Sequence, residues 1–242
     1  MSSINCWILP LPALRACMLP SLLPAPGACL RLLKPLIVAT HNPGKLREFR
    51  ALLADLPFDL RGLGELGVAS PEESGATFLE NALLKARHAA GAAGNVAAIA
   101  DDSGLEVDAL GGAPGIFSAR YAGPDASDAD NNAKLMSALA GIPREQRRAR
   151  YRCVLVFVRD AEDSAPLIAE GVWQGLLLEA PLGAGGFGYD PYFWLAERGL
   201  TAAQLDLAEK NRLSHRGIAM RALRDQLRAR ERAVAGAAPV QP

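Results

Sequence analysis

An excess of charge of either sign is missing: 26 lysines and arginines face 26 aspartates and glutamates across 242 residues. Neither a nucleic-acid backbone nor a membrane surface is therefore the default partner, and any phosphate site must be local. Cysteine is scarce too. Cys6, Cys17, Cys29 and Cys153 show neither C-x-x-C spacing nor a pairing framework, so no disulfide scaffold is implied, and Cys153 reads as a core thiol in a reducing compartment. His41, His88 and His215 are the only histidines and lack H-x-x-x-H spacing, which leaves no zinc site to propose. No run of about 20 apolar residues is free of proline or charge, which excludes a transmembrane helix.

Residues 1–34 contain no acidic residue. Pro10, Pro12, Pro20, Pro24 and Pro26 break every candidate apolar core of a secretory signal, and Arg15 interrupts it as well. This stretch is expected to be a disordered extension, or upstream sequence included through a misplaced start codon, with an export signal as the less favoured reading. What is present beyond it suits a soluble globular protein. The chain is 50% hydrophobic and 21% charged, enough for one sizeable domain or two small lobes.

From Pro35 onward, short apolar runs alternate with helical patterns, which predicts an α/β architecture. Leu36 to Ala39 read as a buried strand, and Leu46, Phe49, Leu52, Leu53 and Leu56 then fall on one helical face. A second helix is expected from Thr77, which has a capping-box partner in Glu80, to about Gly91. NVAAIA is expected to be a second buried strand that ends at the carboxylate pair Asp101–Asp102. Another helix is predicted over 127–140. The runs YRCVLVFVRD and PLIAEGVWQGLLL should pair as strands through a polar turn. Two helical patterns meet around Asn211 to His215, and 233–242 reads as a flexible tail.

Five segments could carry chemistry. In Thr40-His41-Asn42-Pro43-Gly44-Lys45, Asn42 suits an N-cap and Pro43 the first helical position. Main-chain amides at that helix start, with Lys45, favour an anion. An ordinary capped helix with a solvated lysine stands beside that reading, and the spelling is not that of a P-loop. Asp101 and Asp102 on a strand must point to opposite faces, so at most one enters a cleft. Near a phosphate loop, carboxylates make electrostatic sense with a cation between, and Mg²⁺ binds through one or two carboxylates plus phosphates. A turn capped by aspartates is the plainer alternative. Glu72 and Glu73 are candidates to complete the metal shell, or simply exposed loop acids. Ser103 lacks the G-x-S-x-G surroundings of a nucleophile. In GAGGFGYD, Phe187 and Tyr189 offer faces for a base to stack on, or plug the edge of the core. Lys210, Ser214, His215 and Arg216 form a polar cluster between two helices, with Arg216 suited to a carbonyl or phosphate.

Together the blocks IVATHNPGKLREF, ESGATFLENALLKA, ADDSGLEVDALGGAPGIFSARYAG, GGFGYDPYF and EKNRLSHRGIAM resemble the inosine/xanthosine triphosphate pyrophosphatase family, the HAM1-like dITP/XTP pyrophosphatases. The resemblance implies a mixed α/β fold, with an elongated central sheet flanked by helices and an active-site cleft between two lobes in a single catalytic domain, 35–232. It implies a cytoplasmic homodimer that hydrolyses ITP, dITP or XTP to the monophosphate and pyrophosphate with Mg²⁺. By motif, Thr40 to Lys45 resembles the triphosphate loop, with Lys45 also aiding catalysis. Asp102 resembles the general base and metal ligand, with Asp101 beside it and Glu72 or Glu73 as a further metal contact. Ser103 resembles a substrate contact, and Phe187, Gly188, Tyr189, Asp190, Lys210, His215 and Arg216 the base-recognition residues. A pyrophosphatase for other modified nucleotides and a nucleotide-binding regulator without turnover are the competing functional readings.

Overall fold

Strand β1 (Lys34–Val38) is the apolar run after Pro35, and its last three residues are fully buried. In the computed structural model, which describes residues 33–236, it lies inside a seven-stranded sheet. Helix α1 (Pro43–Leu52) follows, then β2 (Phe58–Gly62), a short α2 (Leu63–Leu66) and α3 (Phe78–Ala92). The long strands β3 (Ala98–Val107), β4 (Arg148–Val158) and β5 (Leu167–Leu177) come next, with α4 (Asp128–Ala138) inserted before β4. Short β6 (Phe193–Leu195) and β7 (Leu200–Thr201), then α5 (Leu207–Leu213) and α6 (His215–Gly236), close the chain.

The sheet order is β2-β1-β3-β4-β5-β6-β7. β1 runs parallel to both β2 and β3, while every later neighbour is antiparallel, so the sheet is mixed as expected. Helices cover both faces. Phe49 of α1, Leu53 at its C-cap, and Met220 and Leu223 of α6 pack on Leu36, Ile99 and Leu155. Phe78, Ala82, Ala86 and Ala89 of α3 pack on Ile37, Ala98, Ala100 and Val156 of the opposite face. A third core, on the face of α1 and α6 but farther along the long strands, joins Leu105, Tyr151, Trp173 and Phe193 to Leu135 of α4 and Leu139 at its C-cap.

Two glycines allow the close approaches that this layering needs. A Cβ on Gly171 of β5 would lie 2.0 Å from the carbonyl oxygen of His215, so α6 begins directly against the sheet. On Gly104 of β3 it would lie 2.2 Å from the Gly115 carbonyl, where the 3₁₀ segment Gly115–Arg120 crosses the strand.

β3 differs from the sequence reading. Asp101 and Asp102 do not end it; they sit mid-strand, opposite Leu155 and Val154 of β4. Charged groups in a strand interior argue for a strand end only when they are unpaired, and both of these meet buried cations. β2 and α2 are absent from the sequence reading. β2 is a half-buried edge strand, so its alternation has little apolar contrast. α6 continues past the expected start of the tail at 233. The expectations for residues 1–32 and for 237–242 lie outside the described residues. Among the described residues, no helix is long and apolar enough to cross a membrane.

Candidate active site

The parallel part of the sheet creates the crevice. β1 pairs with β3 only as far as Val38–Ile99, so the β3 edge beyond Ile99 is open next to the chain leaving β1. The crossover through α1 covers one face and that through α3 the other. Ligands bind where strands of a parallel sheet send their connections to opposite faces, outside the carboxyl ends of those strands.

The stretch Thr40 to Lys45 turns through that point. Asn42 caps α1, its Oδ1 accepting from the Gly44 and Lys45 amides at 2.8 and 3.1 Å, with Pro43 in the first helical turn. The Thr40 hydroxyl accepts from the Asn42 amide at 3.1 Å. His41 turns to the neighbouring loop, Nδ1 contacting Ser70 Oγ at 2.9 Å and Nε2 the Val68 carbonyl at 2.8 Å. Gly44 lies under Phe187, whose ring would be 3.4 Å from a Cβ placed there. Lys45 reaches across to Asp101 as an ion pair.

The two aspartates face opposite sides of the sheet. Asp101 accepts from Lys45 and, at 2.9 Å, from Arg216 Nε, with the Cys153 thiol at 3.3 Å. Burial disfavours its ionised form, but Arg216 and Lys45 outweigh burial and hold the carboxyl well below its usual range. Asp102 faces α3, where Lys85 Nζ donates to its Oδ1 at 2.5 Å. Its Oδ2 is buried without a partner. Burial here exceeds the help from Lys85, and the Asp102 carboxyl titrates above its usual value. Lys85 also contacts Glu73 at 3.2 Å, and Arg120 pairs with the other Glu73 oxygen. Burial opposes ionisation of Glu73, yet Lys85 and Arg120 keep it below the usual carboxylate range. Glu72 is exposed. Among the described residues, no three His, Cys, Asp or Glu side chains cluster as a ready metal cage.

A second chain of alternating charge runs from Asp101 to the glycine-rich loop. Arg216 is 2% exposed and donates to Asp101, to Glu48 and, at 3.2 Å, to the Ser103 hydroxyl. Glu48 lies 3.5 Å from Lys210 Nζ, which donates to Asp190 at 2.7 Å. Asp190 in turn accepts from the Phe187 amide at 3.0 Å, and Lys210 sits 4.6 Å from the centre of the Phe187 ring. His215 stacks on Tyr151 with centroids 4.7 Å apart, its Nδ1 buried without a partner. Burial, reinforced by Arg216, pushes this imidazole well below its usual pKa, so it is neutral at pH 7.

One pocket gathers Asn42, Lys45, Ser103, Phe187, Gly188, Tyr189, Asp190, Lys210, His215 and Arg216, which are dispersed over some 170 positions of sequence. Thr40, His41 and Pro43 support its wall through the α1 start, while Asp102 and Glu73 meet Lys85 of α3 and Glu72 stays exposed. Sequence reasoning missed Glu48, Lys85, Arg120 and Tyr151. A signal existed for Lys85: it falls three residues after Ala82 on the apolar stripe of α3, and a cation on a buried face needs a carboxylate partner.

The sequence profile of the Ham1 family matches residues 36–226. A protein named dITP/XTP pyrophosphatase from Pectobacterium atrosepticum is 57% identical over 196 residues, which span 81% of this chain and 99% of the relative. Another with that name, from Methylococcus capsulatus, is 56% identical over 196 residues, or 81% and 97% of the two chains. Among solved structures, a HAM1 protein from Coxiella burnetii superposes with a TM-score of 0.74 at 44% identity, covering 81% of this chain and 99% of that one. Profile, relatives and fold agree with the motif resemblance: the chain belongs to the Ham1 family.

Proposed function

We propose that this chain hydrolyses deaminated purine nucleoside triphosphates, ITP, dITP and XTP, to the monophosphate and pyrophosphate, removing them from the nucleotide pool. The observation that carries this reading is the single pocket that unites Asn42 and Lys45 with Phe187, Asp190, Lys210 and His215. The former supply a cation and a helix start for phosphates; the latter supply an aromatic face and polar groups for a base.

In this reading the triphosphate lies along the open edge of β3, where residues from both faces of the sheet reach it. Lys45 exchanges Asp101 for phosphate oxygen. Asp102, with one oxygen free and a raised pKa, accepts the proton of the water that attacks the α-phosphorus. The bond from the α-phosphorus to the bridging oxygen breaks, and pyrophosphate leaves. The donor set suits Mg²⁺, because the unpartnered Asp102 oxygen and the nearby Glu73 offer one or two carboxylates, with phosphate and water to fill the shell. Bound there, the ion would offset the charge that develops on the phosphates. Lys85, which contacts both carboxylates, holds them in place.

At the other end, Phe187 gives the base a face, and the Nδ1 of neutral His215 offers a hydrogen-bonding position in the pocket wall. Three of the five Arg216 N–H groups are committed to Asp101, Glu48 and Ser103, so this residue supports the wall as well as facing the base. The family supports a homodimer in the cytoplasm, with 35–232 as the catalytic domain in two lobes and with neither nucleic acid nor membrane as a partner.

Incubation with ITP and Mg²⁺ should yield inosine monophosphate and pyrophosphate in equal amounts; orthophosphate as the first product would contradict the reading. In the same assay, Lys45→Ala should lower kcat/KM by roughly tenfold or more, as expected for losing a charge-assisted contact to phosphate. Unchanged kinetics would remove Lys45 from the site.

A further inference from the structure

Helix α4 lies between the blocks that carry the family resemblance, yet its first turns hold two walls of the pocket. Ser127 and Asp130 form a capping box, which leaves Asp128, Asn131 and Asn132 free for tertiary contacts. Asn131 accepts from the Ala122 amide at 2.8 Å and donates to the Ala119 carbonyl at 3.1 Å. Asn132 donates to the Gly188 carbonyl at 2.9 Å and to the Asp128 carbonyl at 2.8 Å. Asp128 Oδ2 accepts from the Gly188 amide at 2.6 Å. The amide and the carbonyl of Gly188 are therefore both held by one helix. Asparagine is a weak helix former, so neither Asn131 nor Asn132 is there for the sake of α4 itself.

Gly188 sits between Phe187 and Tyr189. Phe187 is tied through its amide to Asp190, and Tyr189 through its hydroxyl to the Ser118 carbonyl at 2.8 Å. Removing the grip on Gly188 would leave this loop fastened only on either side, with the Phe187 ring free to tilt over Lys210. We propose that Asp128 and Asn132 are positioning residues for base binding: they fix the Phe187–Tyr189 wall without taking part in phosphate chemistry. This inference rests on the proposed function, because it assumes that the base lies against Phe187. Binding of a base is sensitive to small displacements of the groups that hold it.

Asp128 is exposed, so its replacement should leave the fold intact. The test compares Asp128→Ala and Asp128→Asn with wild type in three readouts: calorimetric affinity for inosine monophosphate, KM and kcat for ITP, and the melting temperature. Asp128→Ala should weaken inosine monophosphate binding and raise KM by about fivefold, the loss of one hydrogen bond of moderate strength, with kcat within about twofold. Asp128→Asn should restore both, because its amide oxygen can still accept from Gly188. Unchanged affinity and KM in Asp128→Ala would overturn the inference. So would failure of Asp128→Asn to rescue, which would mean that the charge acts directly, or a fall in kcat and melting temperature with KM unmoved. Wild-type protein that releases no pyrophosphate from ITP would instead overturn the proposed function, and the two failures are thereby separated.

Discussion

Asp102→Asn is expected to lower kcat for ITP by about a thousandfold, within the range for removing a positioned general base. The same change should cost little stability, because Lys85 keeps a second carboxylate partner. Asp102 titrates above its ordinary value in the folded protein, with burial the first cause and Lys85 opposing it. A carboxyl whose folded pKa is raised contributes stability below its unfolded value, and loses it as pH rises through the folded value. Asparagine removes the charge that burial disfavours, but it also takes from Lys85, itself buried, a charged acceptor that helps to hold the ammonium above its usual range. Lys85 keeps Glu73 as a partner in the variant. Activity lost with only a small fall in melting temperature would mark Asp102 as a group kept for chemistry rather than for stability. A variant that retains more than about a tenth of wild-type kcat would remove Asp102 from the role of base.

Its neighbour should behave in the opposite way. Asp101→Asn is expected to destabilise the protein by about 3–5 kcal/mol, the usual range for removing one partner from a buried ion pair. Arg216 would lose its Nε acceptor while 2% exposed, and Lys45 would lose its partner across the crevice. The pH dependence follows from the sign of the shift. The folded Asp101 carboxyl lies well below the ordinary aspartate value of 3.8, so its stabilising contribution is complete above that value and is lost as pH falls through the folded pKa. Denaturant unfolding at pH 7 should show the full difference between wild type and Asp101→Asn, and the difference should shrink in acid. Equal stability at pH 7 would mean that the charge network does not hold α6 to β3. Among folded molecules, the loss of turnover should be much smaller than for Asp102→Asn.

The opposition of these two residues was legible in the sequence, because adjacent strand positions face apart whatever surrounds them. Which face each took was not, since that depends on the register of β3 against β4 and on where α3 and α6 dock. The N-cap at Asn42 and the capping residue Thr77 were read correctly, as local signals acting within a few residues. Glu80 departs in one detail: its carboxylate accepts from the Ala76 amide, one residue before the cap. Long-range pairing was invisible. Glu48 meets Arg216 from the far end of the chain, and nothing in LREFRALL distinguishes that buried acid from a solvated one. The contacts of α4 with Gly188 are of the same kind, a helix gripping the main chain of a distant loop. Glu72 and Glu73 looked equivalent in sequence; the structure turns only Glu73 to Lys85 and Arg120.

The most direct test of the account is the rate of pyrophosphate release by the purified full chain with Mg²⁺ from ITP, XTP, dITP, GTP and ATP in turn. A pocket that reads a base through buried hydrogen-bonding groups should favour ITP, XTP and dITP over ATP and GTP by at least about a hundredfold in kcat/KM. Equal release from all five would contradict a base-reading pocket. No release from any of them would leave a nucleotide-binding protein without turnover.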